Sequence, residues 1–211
     1  MQILYQGAES IVYLGTFEDQ ESVVKERIKK GYRIRELDEE LRKLRTRKEV
    51  KLLTEVRKLG IATPRIFHVD EKEHKIIMEN VRGDRLKEYL NTLTLEKAAV
   101  ICFQLGKQIG KLHSHDIVHG DLTTSNMILK GDNIYFIDPS LGEFTRRIED
   151  KAVDMKLLKE AIKSTHFKIF DTAWENILKG YVEECRNAAD VLKQLKEIEK
   201  RARYANREVP L

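Results

Sequence analysis

The sequence predicts an α+β fold in two lobes, a small antiparallel sheet with one main helix (residues 1–79) and a minimal, mostly helical remainder (residues 80–211). Three observations carry this. Short β-rich runs bounded by turn formers crowd the first 79 residues. A single stretch between Leu37 and Leu59 interrupts them with apolar residues at helical intervals. From Leu95 onward Leu, Ile and Val recur mostly at helical spacing. At 211 residues the chain can bury a real core, either as one domain or as two small lobes sharing a cleft.

The elements follow in order. Residues 2–6 and 11–17 read as strands joined through Gly7-Ala8-Glu9-Ser10, and 22–27 as a third strand. The helix over 37–59 stops at Gly60. Residues 61–69 and 75–78 read as two more strands, divided by a charged turn. Asp84 is placed as the N-cap of a helix over 85–90. Thr94 caps a long helix over 95–115, with Ala98, Ile101, Cys102, Leu105, Ile109 and Leu112 as its buried stripe. Gly106 and Gly110 sit four apart on an adjoining line, which predicts close packing against a neighbour. His113 and His115 near its end are assigned to the helix dipole and its last carbonyls. A hairpin over 127–137 comes next, then helices over 153–164, 172–185 and 187–205, the second opened by a capping box from Thr172 to Glu175.

Composition excludes several classes. No apolar run approaches membrane-spanning length, the N-terminus has no signal-peptide core, and the two cysteines suit a reducing, cytoplasmic setting. Cys102 and Cys185 both fall in helical patterns, so a disulfide framework is not expected.

The residues that carry chemistry are concentrated in the stretch from Ile117 to Pro139. His119, Asp121 and Asn126 surround a hairpin that has no need of them for burial, and Asp138 stands just past its second strand. An Asp, an Asn five residues later and a second Asp beyond the next strand suit one task. They can hold a divalent metal on a nucleotide's phosphates while a carboxylate orients the attacking group. Upstream, Leu52, Leu53 and Val56 lie three, four and seven residues beyond Glu49, so Glu49 shares their inward face. A carboxylate there needs a cation, and Lys25, directly after two valines on a strand, is the candidate.

The spacing His119-Gly120-Asp121 with Asn126 resembles the catalytic loop of the protein-kinase superfamily, and Asp138 falls where that superfamily holds its metal-binding Asp. The resemblance implies a bilobal protein-kinase-like fold that uses ATP and Mg. Lys25 and Glu49 would form the ion pair that positions the phosphates, and Asp121 would be the catalytic base or water-orienting group. Asn126 and Asp138 would hold magnesium. Gly7, Ala8, Glu9 and Ser10 would cover the phosphates, and the interlobe hinge from Glu79 to Val81 would face the adenine. Asp154 would brace the catalytic loop behind His119, although it equally suits a helix start.

The departures narrow the family. Gly120 replaces the usual Arg and Thr123 the usual Lys, and the segment from Asp138 to Asp154 is too short for an ordinary activation loop. With Gln6-Gly-Ala-Glu-Ser10, the basic run from Lys29 to Glu49 and Ile137-Asp-Pro139, the chain resembles the PRPK family, the small atypical kinase subunit of the KEOPS (EKC) complex. That resemblance implies a serine/threonine kinase or ATPase working beside the threonylcarbamoyl transferase and other KEOPS subunits in tRNA modification. Two further readings stay open: a small-molecule phosphotransferase of the aminoglycoside- or choline-kinase type, and a non-catalytic scaffold. From residue 25 to 51 cations outnumber anions about two to one, and the chain ends with Lys200, Arg201, Arg203 and Arg207. Given the resemblance, these are candidate contacts for tRNA phosphates or the partner subunit.

Overall fold

A computed structural model describes residues 2–205. The chain divides into two compact units: one runs to Arg82 and takes in Tyr135–Ser140, the other comprises Gly83–Ile134 and the chain from Leu141 onward.

The first unit is built on a five-stranded antiparallel sheet. Its strands β1 (Ile3–Gln6), β2 (Ser10–Phe17), β3 (Gln20–Arg27), β4 (Ile66–Asp70) and β5 (Lys75–Glu79) stand in the order β1-β2-β3-β5-β4. A two-residue turn joins β2 to β3, with Glu18 and Asp19 both at positive φ (48° and 62°), the geometry that matches the twist of paired strands. Helix α1 (Arg35–Lys58) packs on the sheet through Leu52, Leu53 and Val56, each worth roughly 1.5–3 kcal/mol of burial. It carries Glu36 and Asp38 in its first turn and Arg57 and Lys58 in its last, matching the helix dipole, and Gly60 closes it at φ 75°.

Residues 61–65 are not strand, contrary to expectation. Pro64 has no N–H for a ladder, and the neighbouring groups serve other ends. Thr63 Oγ1 donates to the Leu53 carbonyl of α1 at 3.0 Å, while the Ala62 carbonyl accepts from Phe136 N at 2.9 Å.

The second unit is helical. Strand β6 (Asp84–Arg85) leads into α2 (Leu86–Tyr89) and a 3-10 turn at Leu90–Thr92. Asp84 is therefore a strand residue opposite Leu129, and α2 starts without a side-chain cap. Helix α3 (Leu95–Ser114) begins as expected, with Thr94 accepting from Lys97 N. Its stripe is buried at Ala98, Cys102, Leu105, Ile109 and Leu112 and half-buried at Ile101. Strand β7 (Ile117–Val118) and the hairpin strands β8 (Met127–Lys130) and β9 (Asn133–Phe136) follow, and β10 (Glu143–Phe144) pairs back onto β7.

Helix α4 (Ile148–Thr165) starts five residues before the expected position, because Glu149 and Asp150 already supply first-turn acids. Helix α5 (Phe170–Glu184) likewise starts ahead of Thr172. That residue's carbonyl accepts from Asn176 Nδ2 inside the helix, so the expected capping box does not form. Helix α6 (Ala188–Ala205) closes the described chain. Neither Cys102 nor Cys185 is in a disulfide.

Helices α3 and α5 approach so closely that backbone meets backbone. A Cβ on Gly106 would collide with the Ile177 carbonyl, and one on Gly180 with the Phe103 carbonyl. The paired glycines let the two helices bury Ile109, Ile177 and Tyr181 between them. Gly106→Ala should therefore destabilise the protein by about 1–3 kcal/mol or more, measured by urea unfolding, whereas alanine at exposed Gly31, with open space around it, should not.

Candidate active site

The expected site residues fall into two groups, one in each unit. In the first, strand period two puts Lys25 and Arg27 on the same face of β3, and helical period puts Glu49 on the inward face of α1. The three meet, with side chains no more than 5 % exposed. Lys25 Nζ donates to Glu49 Oε1 at 2.7 Å, and Arg27 Nη2 donates to Glu49 Oε2 at 2.5 Å. Lys25 Nζ also donates to Asp138 Oδ1 at 2.5 Å. The result is an alternating chain of four charges, Arg27, Glu49, Lys25 and Asp138, in which each buried ion has an opposite neighbour.

Asp138 sits at φ 56°, a backbone state uncommon for a non-glycine residue. Burial pushes its carboxyl up, but the Lys25 ammonium and hydrogen bonds from Lys25 and Ser140 outweigh this and hold it below the ordinary carboxylate range. It is thus an anion at neutral pH, with part of its surface open to solvent.

The turn between β1 and β2 is closed by Gly7 N donating to the Ser10 carbonyl at 2.9 Å. Ala8 is exposed there and Ser10 buried. Glu9 turns its carboxylate to Arg33, at 3.2 Å, and to Arg45 of α1, so the turn is tied to the helix that carries Glu49. Burial raises the Glu9 carboxyl, and the two guanidinium groups more than reverse this. Glu79 ends β5 with its backbone N–H bonded to the Arg65 carbonyl at 2.8 Å, and Val81 is buried two residues on.

In the second unit β7 delivers His119, Gly120 and Asp121. Gly120 has φ 79°, and a Cβ there would meet the backbone of Leu141 and Gly142, so neither the turn nor the space admits a larger residue. Asp154 lies in the second turn of α4, not at its start. Its carboxylate accepts from the backbone N–H of His119 at 2.6 Å and of Gly120 at 2.8 Å. Behind it, His113 Nε2 stands 3.5 Å from Asp154 Oδ2 and its Nδ1 2.8 Å from Tyr181 Oη. His113 is therefore a buried link between three helices and not a cap for α3 carbonyls. His115 does bond one, that of Lys111, at 2.8 Å.

Asn126 Nδ2 donates to the Asp121 carbonyl at 2.9 Å and to Asp121 Oδ2 at 2.8 Å. With its nitrogen engaged by Asp121, the amide presents its oxygen as the atom able to ligate a cation. Among the described residues no cluster of three or more His, Cys, Asp or Glu side chains could hold a metal by itself. The carboxylate of Asp138 and the amide oxygen of Asn126 are each of a donor type that suits magnesium.

Of the basic residues near the end of the chain, Lys200 pairs with Glu197 at 2.9 Å and Arg201 lies 3.8 Å from Glu149. Arg207 and the side chain of Arg203 lie outside the described residues. The residue that sequence reasoning missed is Arg27, whose only signal was its place two beyond Lys25 on the same strand.

Residues 12–142 match the model of the RIO domain. The chain is 46 % identical to the KEOPS complex subunit Bud32 of Pyrococcus abyssi, over 98 % of both chains. It is 45 % identical to a probable bifunctional tRNA threonylcarbamoyladenosine biosynthesis protein of Methanococcus maripaludis, over 96 % of this chain but only 36 % of that longer protein. In fold it is similar to the Rio2 kinase of Chaetomium thermophilum, solved as an ADP/Mg2+-phosphoaspartate complex, at a TM-score of 0.62 and 15 % identity over 97 % of this chain and 72 % of that one. It is also similar in fold to WaaP, solved in complex with acyl carrier protein, at a TM-score of 0.65 and 11 % identity over 94 % and 88 % of the two chains.

Glu49→Ala should cost about 3–5 kcal/mol of stability in denaturant unfolding, because it strands Arg27 as a buried cation and leaves Lys25 with Asp138 alone. Removing Arg27 as well, as Arg27→Met with Glu49→Leu, should recover part of that loss.

Proposed function

We propose an ATP-dependent phosphotransferase or ATPase in the service of tRNA modification, on the premise that this chain belongs to the RIO-domain family together with the KEOPS complex subunit Bud32. The observation that carries the reading is the Lys25 ammonium, held by Glu49 on one side and by Asp138 on the other. A buried cation fixed in place beside a charged carboxylate suits the phosphates of a nucleotide and the metal that accompanies them.

In this reading Lys25 binds the phosphates and Glu49 keeps it aimed, with Arg27 balancing the second Glu49 oxygen. Asp138 and Asn126 would each offer an oxygen ligand to magnesium. When bound, magnesium neutralises charge developing on the transferred phosphoryl group. Asp121 accepts the proton of the attacking hydroxyl or orients a water. Asp154 keeps the His119–Gly120 turn in shape through its two hydrogen bonds, so that Asp121 is held in one orientation. The Gly7–Ser10 turn covers the phosphates, and the backbone from Glu79 to Val81 takes the adenine edge. The phosphoryl acceptor is a serine or threonine, the protein's own included, or water.

The partners in this reading are a threonylcarbamoyl transferase subunit, other KEOPS subunits and tRNA, a choice supported by relatives named as a KEOPS complex subunit and a tRNA threonylcarbamoyladenosine biosynthesis protein. Exposed Lys193, Lys196, Lys200 and Arg201 on α6 offer cations for tRNA phosphates. A cytoplasmic setting accords with this role, and among the described residues no helix is long and apolar enough to cross a membrane.

With labelled ATP, Asp138→Ala should abolish magnesium-dependent turnover while leaving a cooperative thermal transition, and Asp121→Ala should lower it about 10²–10⁴-fold. Full turnover in a folded Asp138→Ala protein would overturn the assignment. Free phosphate against phosphoprotein, with and without the transferase subunit, distinguishes ATPase from kinase. For tRNA, the double substitution Lys200→Ala with Arg201→Ala should make the dependence of log affinity on log salt shallower by ~0.9 per lost phosphate contact. An unchanged slope would remove these two residues from the interface.

A further inference from the structure

A buried histidine outside the residues discussed so far holds the turn that presents Asn126. His166, between α4 and α5, is fully buried, and each of its ring nitrogens has a partner. Nδ1 lies 2.8 Å from Asn91 Oδ1, and Nε2 lies 3.0 Å from the hydroxyl of Thr124, itself buried. Thr124 opens the 3-10 turn Thr124–Asn126, three residues after Asp121.

The directions of these bonds follow from chemistry. Asn91 Nδ2 donates to the Thr165 carbonyl at 3.0 Å, which fixes the amide with its nitrogen on that carbonyl and its oxygen on His166. An amide oxygen only accepts, so Nδ1 of His166 carries the ring proton. Burial holds this imidazole below its usual range, opposed by the charge of Glu88 on α2, so the ring is neutral at pH 7. Nε2 is then a bare lone pair, and the Thr124 hydroxyl must be the donor. A directed chain results, from Thr124 to His166 to Asn91 to the Thr165 carbonyl. The next residue of the turn is held independently, by Arg85 Nη1 donating to the Ser125 carbonyl at 3.0 Å.

We propose that His166 is a positioning residue for the Asp121–Asn126 loop, acting through the hydroxyl of Thr124 to hold the turn in which Asn126 reaches Asp121. The inference rests on the catalytic and metal-binding roles given above to Asp121 and Asn126. A loop anchored only by its backbone would tolerate loss of that hydroxyl, whereas a loop aimed by it would lose alignment at the reacting group.

Two measurements test this. Long-range proton–nitrogen NMR of the histidine rings should find His166 protonated on Nδ1 in the wild-type protein, and a ring protonated on Nε2 would overturn the chain. Steady-state ATP turnover should show kcat lowered on the order of 10²-fold in Thr124→Val, the scale of a 1 Å misplacement, with KM for ATP little changed. Thr124→Ser, which keeps the hydroxyl, should recover most of that activity. A Thr124→Val protein that is folded at the assay temperature and retains its kcat would reduce His166 to a structural residue. Should Thr124→Val fail to fold, Asn91→Ala releases the ring without altering the loop and should lower kcat in the same way. Unchanged kcat there would equally overturn the proposal. Wild-type turnover is measured first: its absence sinks the enzymatic reading and the positioning role with it, while the ring tautomer separately decides whether the hydrogen-bond chain exists.

Discussion

Four alternating charges, Arg27, Glu49, Lys25 and Asp138, set the terms for the first unit. A lone carboxylate at the Glu49 position would be prohibitively buried, and so would a lone ammonium at Lys25. Together they are tolerable, because each of the two Glu49 oxygens meets one cation. Well-packed apolar residues of the same volume are often as stabilising as a buried ion pair. The charges are thus better explained by what they present, a cation and an anion side by side at Asp138, than by what they stabilise. That contrast is the physical reason to read the group as a site.

The same unit shows how one helix is held from two directions. Glu49 reaches β3 from the inner face of α1, while Arg45 reaches Glu9 in the turn after β1. Moving α1 would break both contacts, so the Gly7–Ser10 turn and Lys25 share one support. Gly7 is the single glycine of that turn, and the Glu9 link supplies rigidity where a glycine-rich loop would leave the backbone free to move.

In the second unit the loop bearing Asp121 owes its shape to groups from four places in the sequence: Asp154 on α4, Arg85 on β6, His166 before α5 and Asn126 within the loop. The helical core of the same unit includes a close approach of α3 to α5 that depends on Gly106 and Gly180.

Local periodicity and spacing determined much of this. The inward face of Glu49, the need for a cation opposite it, the contact of Asp121 with Asn126 and the close packing at Gly106 all depend on residues near one another in sequence or on one element's period. Helix starts were less legible: α4 and α5 begin ahead of the expected positions, and neither has a side-chain cap for a sequence pattern to signal. Only the folded chain could decide that Arg27 shares Glu49, that His113 links Asp154 to Tyr181 and that Asn91 orients His166. In each case the partners are tens of residues apart in the chain, and a hydrogen bond is a matter of distance and direction between atoms that no one-dimensional spacing records.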